Sequence, residues 1–132
     1  MIFVDTSAIV AMLAREPEGP AFTETLERER DAITAGHVIL ESAMRLSSLF
    51  DLAPTAADLH VTALLRQTST AIVPLTEEIG HLAVQAFERY GKGRATAGLN
   101  FGDCLSYACA KAHGARLLYK GGDFAATDIG RA

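Results

Sequence analysis

Short apolar runs alternate with longer stretches of helical period along this 132-residue chain. Ile2-Phe3-Val4 is a β-favouring run stopped by Asp5. Ala32-Ile33-Thr34, Ala71-Ile72-Val73 and Arg116-Leu117-Leu118-Tyr119 have the same character. None of the four alternates with period two, so each reads as a strand buried on both faces. The intervening segments repeat their apolar residues every three to four positions. Asp5-Thr6-Ser7 offers three N-caps for a helix from Ala8 to Leu13. Pro20 opens a second helix carrying Phe22 and Leu26 on one face. A third runs from Val38 to Leu49, with Val38, Ile39, Ser42, Leu46 and Leu49 on one side and Glu41 at the edge of that side. Pro54 starts a fourth, with Leu59, Leu64 and Leu65. Thr76 caps the clearest helix, in which Ile79, Leu82, Ala83, Ala86, Phe87 and Tyr90 recur. Asn100 caps the last one, through Lys111, with Asp103 in its first turn. Strands separated by helices predict an α/β fold with a central parallel sheet covered on both faces.

In such sheets ligands bind beyond the carboxyl ends of the strands. Asp5 and Asp123 each follow an apolar strand and Asp103 starts a helix, so with Glu41 they can converge at one sheet edge. Each has a plainer role open to it. Asp5 can be an N-cap, Glu41 can pair with Arg45 one turn on, Asp103 can serve a capping box or the helix dipole, and Asp123 can shape a turn. Gathered together, the four carboxylates would repel one another and raise one another's pKa. A hard divalent cation resolves that conflict, and oxygen ligation suits Mg²⁺ or Mn²⁺. Such an ion polarises a phosphoryl oxygen and activates water, chemistry that needs no Cys, no His and no covalent nucleophile. Thr6 and Ser7 are caps or, alternatively, holders of the reacting water. His37, His60, His81 and His113 share no spacing and read as structural or surface residues.

Composition narrows the classes. With 49% hydrophobic and 21% charged residues, the chain has the material for a core and reads as one domain over 1–132. Its longest apolar runs, such as Ala8 to Ala14, fall short of the ~20 residues of a membrane span. The first residues lack the basic start of a secretory signal, so a cytoplasmic location without membrane contact is expected. Cys104 and Cys109 fall on one helix, too far apart for a disulfide, and no zinc spacing exists. The net charge of −4 is unevenly spread: residues 1–88 hold 5 basic and 13 acidic side chains, residues 89–132 hold 7 basic and 3 acidic. The C-terminal third can therefore meet a polyanion, and Gly91 to Gly98 is a glycine-rich loop in which Lys92 and Arg94 face that task.

Taken in order, Phe3-Val4-Asp5-Thr6-Ser7-Ala8, Leu40-Glu41-Ser42-Ala43, Tyr90-Gly91-Lys92-Gly93, Gly98-Leu99-Asn100-Phe101-Gly102-Asp103-Cys104, Leu117-Leu118-Tyr119-Lys120-Gly121-Gly122-Asp123-Phe124 and Thr127-Asp128-Ile129 resemble the PIN-domain ribonucleases, specifically the VapC toxins of bacterial type II toxin–antitoxin systems. The resemblance covers about residues 1 to 130. It implies a three-layer α/β/α fold with a central parallel sheet, usually as a homodimer, and an endoribonuclease dependent on Mg²⁺ or Mn²⁺. Matched position by position, it assigns the catalytic and metal-binding acids to Asp5, Glu41, Asp103 and Asp123, with Asp128 as an additional acidic position. Gly122 departs from the pattern, standing where relatives often carry Asn or an acid. The expected mechanism is in-line attack by a metal-activated water that Thr6 or Ser7 orients, leaving a 5′-phosphate and a 3′-hydroxyl. Lys92, Arg94 and Lys120 would hold RNA by its phosphates. The resemblance further implies a VapB-type antitoxin whose C-terminal segment lies in a groove of the early helices, with Leu13 and Phe50 as candidate lining residues and an antitoxin Arg approaching the carboxylates.

Two other classes stay in view. A phospho-acceptor receiver domain shares the length and a lysine after a late strand, yet it needs paired acids after its first strand and an acceptor Asp after its middle strand. Here Val4-Asp5-Thr6 supplies one acid and Ile72-Val73-Pro74 none. A catalytically silent PIN-like regulator that binds RNA or a partner is the other alternative, and the complete acidic quartet argues against it.

Overall fold

The computed structural model describes residues 1–132. The elements run β1 (Ile2–Val4), α1 (Thr6–Leu13), α2 (Gly19–Glu29), β2 (Ala32–Ala35), α3 (Gly36–Phe50), α4 (Pro54–Gln67), β3 (Ala71–Val73), α5 (Glu77–Tyr90), α6 (Phe101–Ala112), β4 (Arg116–Leu118) and a closing 3₁₀ turn, Asp123–Ala126. The strands form one parallel sheet in the order β3-β2-β1-β4, with Phe3 opposite both Ile33 and Leu117. The expected three-layer α/β/α arrangement follows from that order. The chain steps from β1 through β2 to β3 in one direction, then returns past them to β4. Right-handed crossovers therefore place α1 to α4 on one face of the sheet and α5 and α6 on the other.

Ile2, Phe3, Val4, Ile9, Leu117 and Leu118 are fully or almost fully buried and form the centre of the core. Thr34 is the polar exception in the sheet: its hydroxyl donates to the Val4 carbonyl at 2.8 Å in a fully buried position. Thr34→Val keeps the shape and removes that bond. We expect a loss of about 1–2 kcal/mol, read as a lower urea midpoint with an unchanged slope.

One strand departs from expectation. Ala71 and Ile72 of β3 are exposed rather than buried, because β3 is an outer strand. The opposite edge is closed by the C-terminal tail, where the Leu117 N–H donates to the Gly130 carbonyl at 2.8 Å and the Ala132 N–H to the Leu117 carbonyl at 2.9 Å. Cys104 and Cys109 are both buried, free thiols on α6, as their spacing required.

The sheet reverses its winding between β1 and β4, and their carboxyl ends open into the crevice where this architecture binds ligands. Asp5 and Lys120 stand at those ends. The Asp5 N–H donates to the Leu118 carbonyl at 3.0 Å, which fixes the two strand ends side by side.

Candidate active site

Asp5 leaves β1 and caps α1. Its Oδ2 accepts from the Ser7 N–H at 3.1 Å and from the Ser7 hydroxyl at 2.7 Å. The residue is only 4% exposed. Burial pushes its carboxyl above the usual range, and the bonds from Ser7 pull it partly back. The Ser7 hydroxyl oxygen also accepts from the Lys120 N–H at 3.0 Å. A single hydroxyl thus ties the end of β4 to the carboxylate at the end of β1.

Glu41 reaches the same place from the second turn of α3. Its Oε1 accepts from the Thr6 hydroxyl at 2.9 Å. Burial raises its pKa, and the neighbouring Asp5 charge adds to the rise. Asp103 arrives from the first turn of α6, held by a complete capping box. The Asn100 N–H donates to Asp103 Oδ2 at 3.1 Å, and the Asp103 N–H donates to Asn100 Oδ1 at 2.9 Å. Its carboxyl is pushed up to about 6, first by burial and then by the charges of Asp5, Asp123 and Glu41. Asp103 is therefore the capping-box partner of Asn100 and also stands within reach of the charges of the other three acids.

The three carboxylates line one cleft of about 490 Å³ with Thr6, Ser7, Glu16, Arg45, Asn100 and Lys120. Gly102 makes room for this convergence. A Cβ at that position would lie 2.1 Å from Glu41 Oε2, so only glycine lets the Glu41 carboxylate settle against the start of α6. Asp123 stands at the head of the 3₁₀ turn, exposed and outside the cleft wall, though its charge is felt at Asp103.

Several expectations change here. Asp128 is not brought to the cleft. It accepts hydrogen bonds from the Tyr107 hydroxyl and, at 3.0 Å, from the Lys111 ammonium, and these hold its carboxyl down to about 2. It lies with Arg89 on the surface between α5 and α6. Thr6 and Ser7 donate their hydroxyl protons to Glu41 and Asp5 and so orient those carboxylates. Lys120 lines the cleft but is paired with Glu16 at 2.8 Å and Glu18 at 3.4 Å. Glu41 and Arg45 form no ion pair, because Glu41 turns to Thr6. Lys92 and Arg94 are exposed on a loop closed by the Lys92 N–H to Leu99 carbonyl bond at 2.9 Å, immediately before Asn100. His37 is structural. Burial lowers its pKa to about 4, its Nε2 lies 2.9 Å from the Ser106 hydroxyl, and its ring stacks on Phe3.

Sequence reasoning missed the roles of Gly102, Glu16 and Arg45. A glycine just inside a helix N-terminus, beside a candidate acid, was the available signal for Gly102, since glycine is a poor helix former. The distance between Gly102 and Glu41 along the chain hid their contact.

The donor set is all hard oxygen, held in groups whose acidity is suppressed by burial and mutual repulsion, which is the chemistry a divalent cation relieves. No three acidic, histidine or cysteine side chains close on one point tightly enough to cage an ion alone. The arrangement fits an ion held by one or two carboxylates that keeps much of its water, the usual habit of Mg²⁺.

Known proteins place the chain in a family. The PIN domain family matches residues 2–130. A VapC ribonuclease of Mycobacterium bovis is 38% identical over 126 residues, covering 96% of this chain and 94% of that one. A ribonuclease VapC of Mycolicibacterium smegmatis is 40% identical over 128 residues, covering 96% and 95%. The crystal structure of Mycobacterium tuberculosis VapC20, a sarcin–ricin loop cleaving toxin, superposes with a TM-score of 0.77 over 100% of this chain and 98% of that chain, at 21% identity, and so bears on the fold. With a family match over nearly its whole length and this much sequence shared end to end, the chain belongs to the PIN-domain family, among its VapC ribonucleases.

Proposed function

We propose that this chain, acting as one domain over 1–132, is a divalent-metal-dependent endoribonuclease and the toxin of a type II toxin–antitoxin pair. The observation that carries the reading is the convergence of Asp5, Glu41 and Asp103, from three separate elements, on one cleft where burial raises the pKa of all three. Mg²⁺ or Mn²⁺ would be held by these acids, with Asp123 at the margin. When bound, the ion polarises a phosphoryl oxygen and makes water easier to deprotonate. The chain's own residues supply the rest. Ser7 fixes Asp5, Thr6 fixes Glu41, and the capping box fixes Asp103, so the negative cleft is set before substrate arrives. Lys92 and Arg94 bind phosphates on the approach to Asn100, and specificity comes from RNA shape and unpaired bases. Lys120 serves this approach chiefly by pinning the Glu16–Glu18 turn.

Silencing fits the early helices. Leu13, Leu46, Phe50, Leu52 and His60 line an apolar groove of about 300 Å³. It would take the C-terminal segment of a VapB-type antitoxin, whose Arg would reach the carboxylates. The working unit is a homodimer in the cytoplasm; no helix is long and apolar enough to cross a membrane.

The test is brief expression in cells followed by mapping of RNA 5′ ends, beside in vitro digestion with and without Mg²⁺. The wild-type chain should create new 5′-phosphate ends, and Asp5→Asn should create none. Equal cutting by Asp5→Asn, or cutting unaffected by a chelator, overturns the assignment.

A further inference from the structure

We infer that Arg45 is a phosphate anchor inside the catalytic cleft, gripping the RNA backbone at or beside the bond to be cut; this rests on the ribonuclease reading above. Two cations line the cleft, Arg45 and Lys120, among the acids Asp5, Glu16, Glu41 and Asp103. Lys120 is spoken for by Glu16 and Glu18. Arg45 is exposed and has neither an ion-pair partner nor a side-chain hydrogen bond, although four carboxylates share its cleft.

The nearest acid along the helix explains the vacancy. Glu41 lies one turn earlier on α3, the spacing at which a Glu–Arg pair ordinarily forms. Here Glu41 Oε1 accepts from Thr6, and Oε2 sits over the position where Gly102 leaves space. Pairing with Arg45 would pull the carboxylate out of the site. The guanidinium is therefore left with its donors free, one helical turn from a catalytic acid, facing the cleft.

A planar fork of N–H donors matches two oxygens of a phosphodiester, and Arg does this better than Lys. Electrostatics supply a reason for such a residue. A cleft of acids repels RNA until a cation is present, and a fixed positive charge on its wall lowers that barrier and sets the backbone's register. Arg45 is then a binding residue distinct from Lys92 and Arg94, which lie on the loop outside.

The experiment uses full-length protein with Mg²⁺ present. RNA binding is measured in the Asp5→Asn background, by anisotropy of a fluorescein-labelled single-stranded RNA library of random sequence, across a KCl series. Arg45→Gln should weaken binding roughly ten-fold and lower the slope of log K against log[KCl] by about 0.7, the share of one phosphate on a single strand. Arg45→Lys should keep the slope and recover part of the affinity. In the otherwise wild-type enzyme, Arg45→Gln should raise KM more than it lowers kcat. An unchanged affinity and slope in Arg45→Gln, or no RNA binding in the Asp5→Asn background at any salt, overturns the anchor. The ribonuclease reading fails separately, when the parent enzyme itself shows no Mg²⁺-dependent cutting beyond Asp5→Asn.

Discussion

Asp103→Asn will reduce Mg²⁺-dependent RNA cleavage by roughly a thousandfold or more, while the metal-free protein melts no lower than the parent near neutral pH. The two outcomes have separate causes. Asp103 contributes a charge to the cleft and an acceptor to the Asn100 capping box. Asparagine keeps an acceptor oxygen at the same position, so the start of α6 survives. It removes the charge that burial and three neighbouring carboxylates oppose. The pH dependence follows from the raised pKa. Asp103 takes its proton more readily in the folded chain, about 6, than at its ordinary value of 3.8. Its contribution to metal-free stability is therefore complete below about pH 4 and fades as pH rises through about 6. The parent should lose stability over that interval, and Asp103→Asn should lose less. Added Mg²⁺ should stabilise the parent above pH 6, where the carboxylate is already ionised, and leave Asp103→Asn nearly unmoved. Melting curves in a chelator and in Mg²⁺ across this range, with RNA digestion alongside, decide it. An Asn variant that still cuts, or one that melts well below the parent in chelator, contradicts the assignment.

The same residue shows what was legible in the sequence. Asn100 and Asp103, three apart before an apolar helical stretch, announce a capping box, and the box is there. Thr76 before Ile79 is equally local, and its hydroxyl accepts from the Ile79 N–H at 3.2 Å. The four strands, their parallel sense and the placing of Asp5 at a strand end follow from period and composition. Pattern alone did not separate an inner strand from an outer one, so β3 read as buried although Ala71 and Ile72 are exposed. Pairings across the chain were beyond reach for a similar reason. Glu41 is four residues from Arg45 but bonds to Thr6, thirty-five residues away. Lys120 carries the charge expected of an RNA contact and is taken up by Glu16 and Glu18 across the cleft. Asp128 carries the charge expected of a ligand and is claimed by Tyr107 and Lys111. Sequence reports which groups exist and their local geometry. Which group satisfies which is settled by packing.

Gly102→Ala tests the most compressed of those long-range contacts, and it should cut activity without harming the fold. Alanine in the first turn of α6 favours the helix over glycine by about 1 kcal/mol. Its methyl group, however, would stand 2.1 Å from Oε2, 2.5 Å from Cδ and 2.6 Å from Oε1 of Glu41. The flexible partner yields: Glu41 swings away, the Thr6 bond breaks, and the carboxylate leaves the cleft. Displacing an acid from a site that depends on its position should lower kcat/KM by about a hundredfold. Glu41→Ala should lose at least as much, and adding Gly102→Ala to it should cost nearly nothing more, because the carboxylate it collides with is gone. Melting temperatures supply the second half of the cycle, with the stabilising effect of alanine larger in the Glu41→Ala background than in the parent. Losses that simply add, or a Gly102→Ala enzyme of full activity, would mean that Glu41 does not need the space glycine leaves beside Asp103.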